Sequence, residues 1–131
     1  MQPLLTPDNY VGRVADWLAS ARRSIYLQFA YITYSDKPSD ERFTQVLLRL
    51  AELSYKPGLD MRIIVGNNGA ADKVRRLAEA GFNEAVFRVQ SNVHNKGIIV
   101  DGESVLVSSA NWSGDGVLRN RDAGLIVYDR E

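Results

Sequence analysis

Apolar residues recur at three- and four-residue intervals early in the chain, at Tyr10, Val11, Val14, Trp17, Leu18 and Ala21. That spacing predicts an amphipathic helix covering a core, with Thr6 as its N-cap and Pro7 at the first helical position. Residues 24–32, rich in Ile, Tyr and Phe, predict a buried strand. Turn and cap residues at 36–40 then introduce a second helix, whose face is Phe43, Val46, Leu47, Leu50 and Leu53 and which Lys56-Pro57-Gly58 ends. Residues 61–65 predict a short strand, 66–69 a loop, 70–80 a third helix with Gly81 as its C-cap, and 84–89 another strand.

The pattern changes in the last third. Strand-like runs at 94–100, 104–109 and 123–128 are separated by Asp101-Gly102, a hairpin turn signal, and by a glycine-rich segment around Gly114 and Gly116. An alternating front followed by a hairpin predicts an α/β protein with a mixed sheet and helices on its faces. No internal repeat, low-complexity tract or linker interrupts the pattern, and 131 residues suit one domain spanning 1–131.

Composition narrows the chemistry. Sixteen basic and sixteen acidic residues cancel, so no broad attraction to nucleic acid or anionic lipid is implied. The absence of cysteine excludes disulfides, thiolate catalysis and cysteine-ligated metals. No apolar run is long enough to span a bilayer, and the opening residues lack the pattern of a signal peptide, which predicts a soluble domain, cytoplasmic or peripheral to a membrane, of unknown compartment.

The single histidine, His94, lies in Val93-His94-Asn95-Lys96-Gly97, with Asp101 after it, then Ser108-Ser109-Ala110-Asn111, then Asp122. A nucleophile or proton carrier, a lysine two residues on, short hydrogen-bonding side chains and a late carboxylate are the parts of a phosphodiester-transfer site. In an extended strand His94 and Lys96 share a side, and so do Ser109 and Asn111 on the partner strand, which predicts that the four meet across the hairpin. Asp101 has the opposite parity, which assigns it a structural role, holding the hairpin or pairing with a nearby base. Gly97 leaves room for another backbone or a substrate group beside Lys96. Lys96, Ser109 and Asn111 are the candidate phosphate ligands, stabilising the nonbridging oxygens. Neutral His94 would attack phosphorus, and Asp122 would hold its other ring nitrogen. Departure of the leaving group needs a proton that His94 cannot supply while it is the nucleophile, so these residues make half a site.

The run His-x-Lys-x4-Asp-x6-Ser-Ser-x-Asn resembles the signature of the phospholipase D superfamily, the HKD phosphodiesterases. Ser108 stands where that family usually has glycine. The resemblance implies an α/β/α sandwich and a covalent phosphohistidine on His94, later broken by water or an alcohol, with no metal and no cofactor. It also implies a second HKD motif, supplied by a homodimer partner or by the missing half of a longer chain. Both ends read as cut from something longer, and Pro3-Leu4-Leu5-Thr6-Pro7-Asp8-Asn9-Tyr10 looks like the start of a C-terminal half. The leading expectation is a phosphodiesterase or phosphatidyltransferase acting on phospholipid. Alternatives are a homodimeric endonuclease of the same superfamily and a noncatalytic phosphate-binding domain.

Other features have plainer readings. Trp112 reads as a core anchor, and Gln28, Tyr31 and Tyr34 as residues able to reach the site from the end of the first long strand. Gly66-Asn67-Asn68-Gly69 lacks the lysine and hydroxyl of a Walker loop and reads as a strand-to-helix turn; Arg75-Arg76 reads as a solvated face.

Overall fold

The computed structural model describes residues 2–6, 9–66, 69–91, 93 and 95–129. Its strands are β1 (Gln2–Leu5), β2 (Ser24–Phe29), β3 (Asp60–Val65), β4 (Phe87–Val89), β5 (Gly97–Val100), β6 (Ser104–Ser108) and β7 (Ala123–Tyr128). They form one mixed sheet in the order β1-β7-β6-β5-β2-β3-β4. β2, β3 and β4 run parallel, whereas β2-β5, β5-β6, β6-β7 and β7-β1 are antiparallel pairs.

Helices α1 (Tyr10–Ala19), α2 (Glu41–Leu53) and α3 (Ala70–Glu79) link β1 to β2, β2 to β3 and β3 to β4. Each joins strands of one direction, and right-handed crossovers taken the same way across the sheet place all three on one face. Burial follows this arrangement: Ile25, Leu27, Phe29, Met61, Ile63, Val65, Ile98, Val100, Leu106 and Ile126 lie beneath the helices. Strand alternation turns Tyr26, Ile99, Val105, Val107 and Val127 to the other face, where Val107 is 60% exposed. The α/β class and mixed sheet match the expectation, and the described residues supply two layers of the sandwich, the sheet and one layer of helices.

Several boundaries differ from those read in the sequence. The first helix begins at Tyr10, and Thr6 is not its N-cap: it is 3% exposed and turned into the protein. Asn9 precedes the helix and accepts a hydrogen bond from the Leu5 amide at 2.7 Å through Oδ1. Residues 2–5, assigned to no element from sequence, form an edge strand on β7. β2 stops at Phe29, because the chain turns at Ala30, and Ile32 makes only a single bridge to Trp112. Glu84–Val86 is a 3₁₀ turn, so only Phe87–Val89 pairs as a strand. The glycine-rich segment contains a π-helical turn, Asp115–Arg119. β5 begins at Gly97, later than residue 94, and Lys96 precedes it.

The core centres on Trp112, which stacks on Phe29 with centroids 4.7 Å apart and meets Phe43 edge-on at 5.7 Å. Its indole Nε1 donates to the Tyr10 hydroxyl at 3.0 Å, satisfying a polar atom that burial would otherwise leave costly. Trp112 is thus a core anchor. It fixes the chain immediately after Asn111.

Candidate active site

The sheet brings the motif segments to one end. Gly97 pairs with Gln28 on one side and Val107 on the other, and Ser108 pairs with Gly124. Lys96 just before β5, Ser109 and Asn111 after β6, and Asp122 before β7 therefore gather where the parallel strands end, the usual ligand-binding edge of such sheets. His94, the nucleophile of the sequence reading, lies outside the described residues. Beside it in sequence, Val93 is buried and Asn95 exposed.

Ser109 and Asp122 are in direct contact. The Ser109 hydroxyl donates to Asp122 Oδ1 at 2.9 Å, and the Ser109 amide donates to the Ala123 carbonyl at 3.1 Å. Ser109 therefore faces β7, not the β5-β6 hairpin across which it was expected to meet Lys96. The reason is that β6 is a central strand and its last pairing, Ser108 with Gly124, is on the β7 side. Asp122 has no ion pair among the described residues, and the plain alternative of pairing with Arg119 does not occur. Arg119 instead binds Asp40 and, at 2.6 Å, Asp115. The hydrogen-bonded Arg119 guanidinium holds the Asp40 carboxyl below its ordinary range.

Thr6 positions Asp122 from below. Its hydroxyl donates to the Asn120 carbonyl at 2.6 Å and accepts from the Asp122 amide at 2.6 Å. The Thr6 amide adds a bond to the Asp122 carbonyl at 3.0 Å. Tyr10 lies beneath the same corner, and its hydroxyl pKa is pushed up to about 12, chiefly by burial. Hydrogen bonds with Trp112 and Ser108 oppose that rise, and the charge of Asp122 adds to it.

Glycines accommodate the neighbouring polar residues. A Cβ on Gly124 would lie 3.1 Å from the Ser108 side chain, so Gly124 provides the space for a serine where the resembled signature has glycine. The Ser108 hydroxyl accepts from the Ala110 amide at 3.0 Å. A Cβ on Gly116 would lie 2.1 Å from the Asn111 carbonyl oxygen, so the π-helical turn packs directly on the backbone of Asn111. At Gly97 the closest approach is made by the Leu106 carbonyl, 3.3 Å from a Cβ position.

Asp101 is remote from this end. At φ 56 it forms the β5-β6 turn with Gly102, and its carboxylate accepts from the amides of Arg22, Arg23 and Ser24 at 3.1, 2.6 and 3.0 Å. Burial raises its pKa, but the three amides and the Arg23 charge prevail and hold it below the ordinary carboxylate range. Asp101 thus ties the hairpin to the start of β2.

A second set of polar groups lies on the segment that follows β2. Tyr31 and Thr33 flank Ile32, whose bridge partner is Trp112, and the Thr33 amide donates to the Trp112 carbonyl at 2.9 Å. Lys73 of α3 donates to the Thr33 hydroxyl at 3.1 Å and lies 5.2 Å from the Tyr31 ring centre. Tyr34 packs against the core, Gln28 borders the open face, and Arg75 pairs with Asp72 on a solvated helix face. Asn67 and Asn68 lie outside the described residues; a Cβ on Gly66 before them would be 2.8 Å from the Ala30 carbonyl.

Residues 14–131 match a family model described as cardiolipin synthase, phospholipase D-like domain. The chain belongs to the phospholipase D-like family. Among curated relatives, a phospholipase D of Rickettsia felis is 29% identical over 121 residues, covering 90% of this chain and 56% of the relative. A mitochondrial cardiolipin hydrolase of Xenopus tropicalis is 32% identical, covering 98% of this chain and 58% of the relative. The chain thus spans little more than half the length of these phospholipase D-like relatives. Solved structures share the fold, and two of them serve as examples. The phospholipase D family member Nuc of Salmonella typhimurium has a TM-score of 0.72 at 21% identity, covering 98% of this chain and 82% of that one. Phosphatidylserine synthase of Haemophilus influenzae has a TM-score of 0.68 at 16% identity, covering 99% of this chain and 35% of that one. No helix among the described residues is long and apolar enough to cross a membrane.

Thr6, Tyr10, Gly116 and Lys73 were not marked as site-building residues by sequence. Thr6 carried a hydroxyl signal, but it read equally as a helix cap. Gly116 lies in the glycine-rich segment that separates two strand-like runs, and Lys73 on a helix of which the sequence marks only Arg75-Arg76, as a solvated face.

Proposed function

We propose that this chain supplies half of a phospholipase D-type site that cleaves or transfers a phosphodiester, with phospholipid as substrate. Neutral His94 attacks phosphorus through one ring nitrogen, the leaving oxygen departs with a proton from a second histidine outside this chain, and water or an alcohol then breaks the N–P bond. Lys96 and Asn111 compensate charge on the nonbridging oxygens, and no metal or cofactor enters the route. Ser109 occupies Oδ1 of Asp122, and Oδ2 takes the second ring nitrogen of His94, fixing the tautomer and stabilising the charged ring. The second motif comes from the rest of a longer chain or from an identical subunit.

The contact between Ser109 and Asp122 carries this reading, because it organises a carboxylate at the end of the sheet where Asn111 and Lys96 also stand. Phospholipid is favoured by an apolar hollow of about 380 Å³ beside Lys96, bordered by Tyr26, Ile64, Ile99, Val105 and Val107. The absence of net charge gives a polyanionic nucleic acid no comparable advantage.

The full protein, incubated with a phosphodiester labelled on phosphorus and quenched in alkali, should carry acid-labile label that His94→Asn abolishes. Label retained by that variant overturns the nucleophile assignment. Hydrolysis of DNA but not lipid, with steep salt dependence, would replace the lipid reading with the nuclease.

A further inference from the structure

We infer that Arg119, held between Asp40 and Asp115, is a positioning residue that keeps Asn111 and Asp122 in place at the two ends of the segment joining β6 to β7. The inference rests on the half-site reading above and extends it to what holds the half-site in register.

That segment needs an external hold. It leaves β6 at Ser109 and enters β7 after Asp122, and between these ends it has an isolated bridge, Trp112 with Ile32, and the π-helical turn Asp115–Arg119. The turn packs on the Asn111 backbone at Gly116 and closes where the Asn120 amide binds the Asp115 carbonyl at 2.8 Å. Close packing transmits a displacement of the turn to Asn111 by contact. Covalent connection transmits it to Asp122, three positions beyond Arg119.

Arg119 ties the turn to a fixed post. It donates through Nη2 to Asp40, through Nε to Asp115 at 2.6 Å and through Nη1 to the Ser39 carbonyl at 3.2 Å. Asp40 is 5% exposed and immediately precedes α2, whose Phe43 meets Trp112 edge-on and whose Leu47 and Leu50 are buried. A Cβ on Gly114 would lie 2.1 Å from Asp40 Oδ1, so the carboxylate rests directly on the backbone of the segment. Two carboxylates offset the guanidinium charge, which suits Arg119 to holding the segment rather than binding an anion.

The helix forgoes a local bond for this contact. An aspartate at that position ordinarily accepts from an amide of the first helical turn. Asp40 makes no such bond, and its carboxylate is committed to a partner 79 positions away. Conflicts of this kind between local preference and tertiary structure concentrate at functional sites. Hydrogen bonds from Arg119 and Ser35 hold the Asp40 carboxyl below its ordinary range, so the pair stays charged at neutral pH.

The test reads the two ends directly. The Ser109 amide donates to the Ala123 carbonyl and the Asp122 amide to the Thr6 hydroxyl, so their hydrogen exchange in isotope-labelled protein reports the order of the segment. Arg119→Met should speed exchange at both by about tenfold while leaving the paired Leu27 and Ile63 unchanged, and Arg119→Lys should restore part of the protection. Asp40→Asn, which keeps its shape against Gly114, should act in the same direction, and the double variant should be no worse than Arg119→Met alone. Faster exchange confined to residues 113–120, or spread evenly over the protein, overturns the positioning role. In the full protein, Arg119→Met should lower kcat/KM by about tenfold at a temperature where it is folded. Unchanged kcat/KM overturns the inference when Asp122→Asn is impaired. When Asp122→Asn is equally active, the half-site reading is what fails, and exchange at Ser109 and Asp122 still decides whether Arg119 positions them.

Discussion

The hydroxyl of Ser109 donates to Asp122 across the β6-β7 junction at 2.9 Å, joining two residues thirteen positions apart in one hydrogen-bonded unit. A carboxylate oxygen engaged in this way is fixed in direction, and fixed direction is what a group that orients an imidazole requires.

Asp122→Asn, which keeps shape and removes charge, should therefore lower kcat by about 10- to 100-fold in the full protein with KM little changed, if the proposed role of Asp122 holds. Ser109→Ala should cost about tenfold and alter the pH profile of kcat, since a freed carboxylate holds the ring less well. Steady-state kinetics across pH checks both. Unchanged kcat in Asp122→Asn would remove Asp122 from the reaction.

Thr6→Val keeps the shape of a buried side chain and removes hydrogen bonds to Asn120 and Asp122. The unsatisfied groups left behind should lower stability by about 1–3 kcal/mol in urea unfolding. Activity at a temperature where the variant is folded should fall as well, because the Asp122 segment loses its anchor. A purely structural threonine would leave that activity intact.

Gly116→Ala should be among the more damaging single-methyl additions, because its Cβ would lie 2.1 Å from the Asn111 carbonyl oxygen. Forcing the π-helical turn off Asn111 should cost about 1–3 kcal/mol, the usual range for overpacking. Gly102→Ala provides a contrast, since the cost there comes from φ 67 and not from crowding, and phosphate binding should survive. Thermal melts together with phosphate titration distinguish the two.

Asp101→Asn retains a residue type tolerant of positive φ and removes the charge that three amides surround. It should cost about 1–2 kcal/mol at neutral pH, after allowance for solvent screening. The folded protein holds this carboxyl below its ordinary value. Its contribution is thus present above an unfolded pKa of about 4 and is lost as pH falls through the folded value. Unfolding curves of the two proteins should converge in acid and separate fully above about pH 5. A constant difference across that range would exclude the charge as the cause.

How far the sequence reached is visible in Asp101 and Thr6. A DG turn between alternating apolar runs identified the hairpin, and the parity of Asp101 directed it away from the candidate phosphate ligands, because both depend on neighbours in the chain. Thr6 read as a cap because a hydroxyl before a proline and an apolar period is ambiguous locally. Its partners, Asn120 and Asp122, are more than a hundred residues away, and only strand β1 pairing with β7 brings them within reach.

Periodicity determined the α/β class and the helix faces, since these follow from side-chain direction along one segment, and the run His-x-Lys-x4-Asp-x6-Ser-Ser-x-Asn pointed to the family through its resemblance to a known signature. The tertiary structure decided which groups touch: Ser109 with Asp122, Arg119 with Asp40, Lys73 with Thr33. It also decided that all three helices lie on one face, a consequence of strand order and crossover direction. Those outcomes depend on which strands become neighbours, a choice made by the burial of the whole sheet, and no local pattern encodes it.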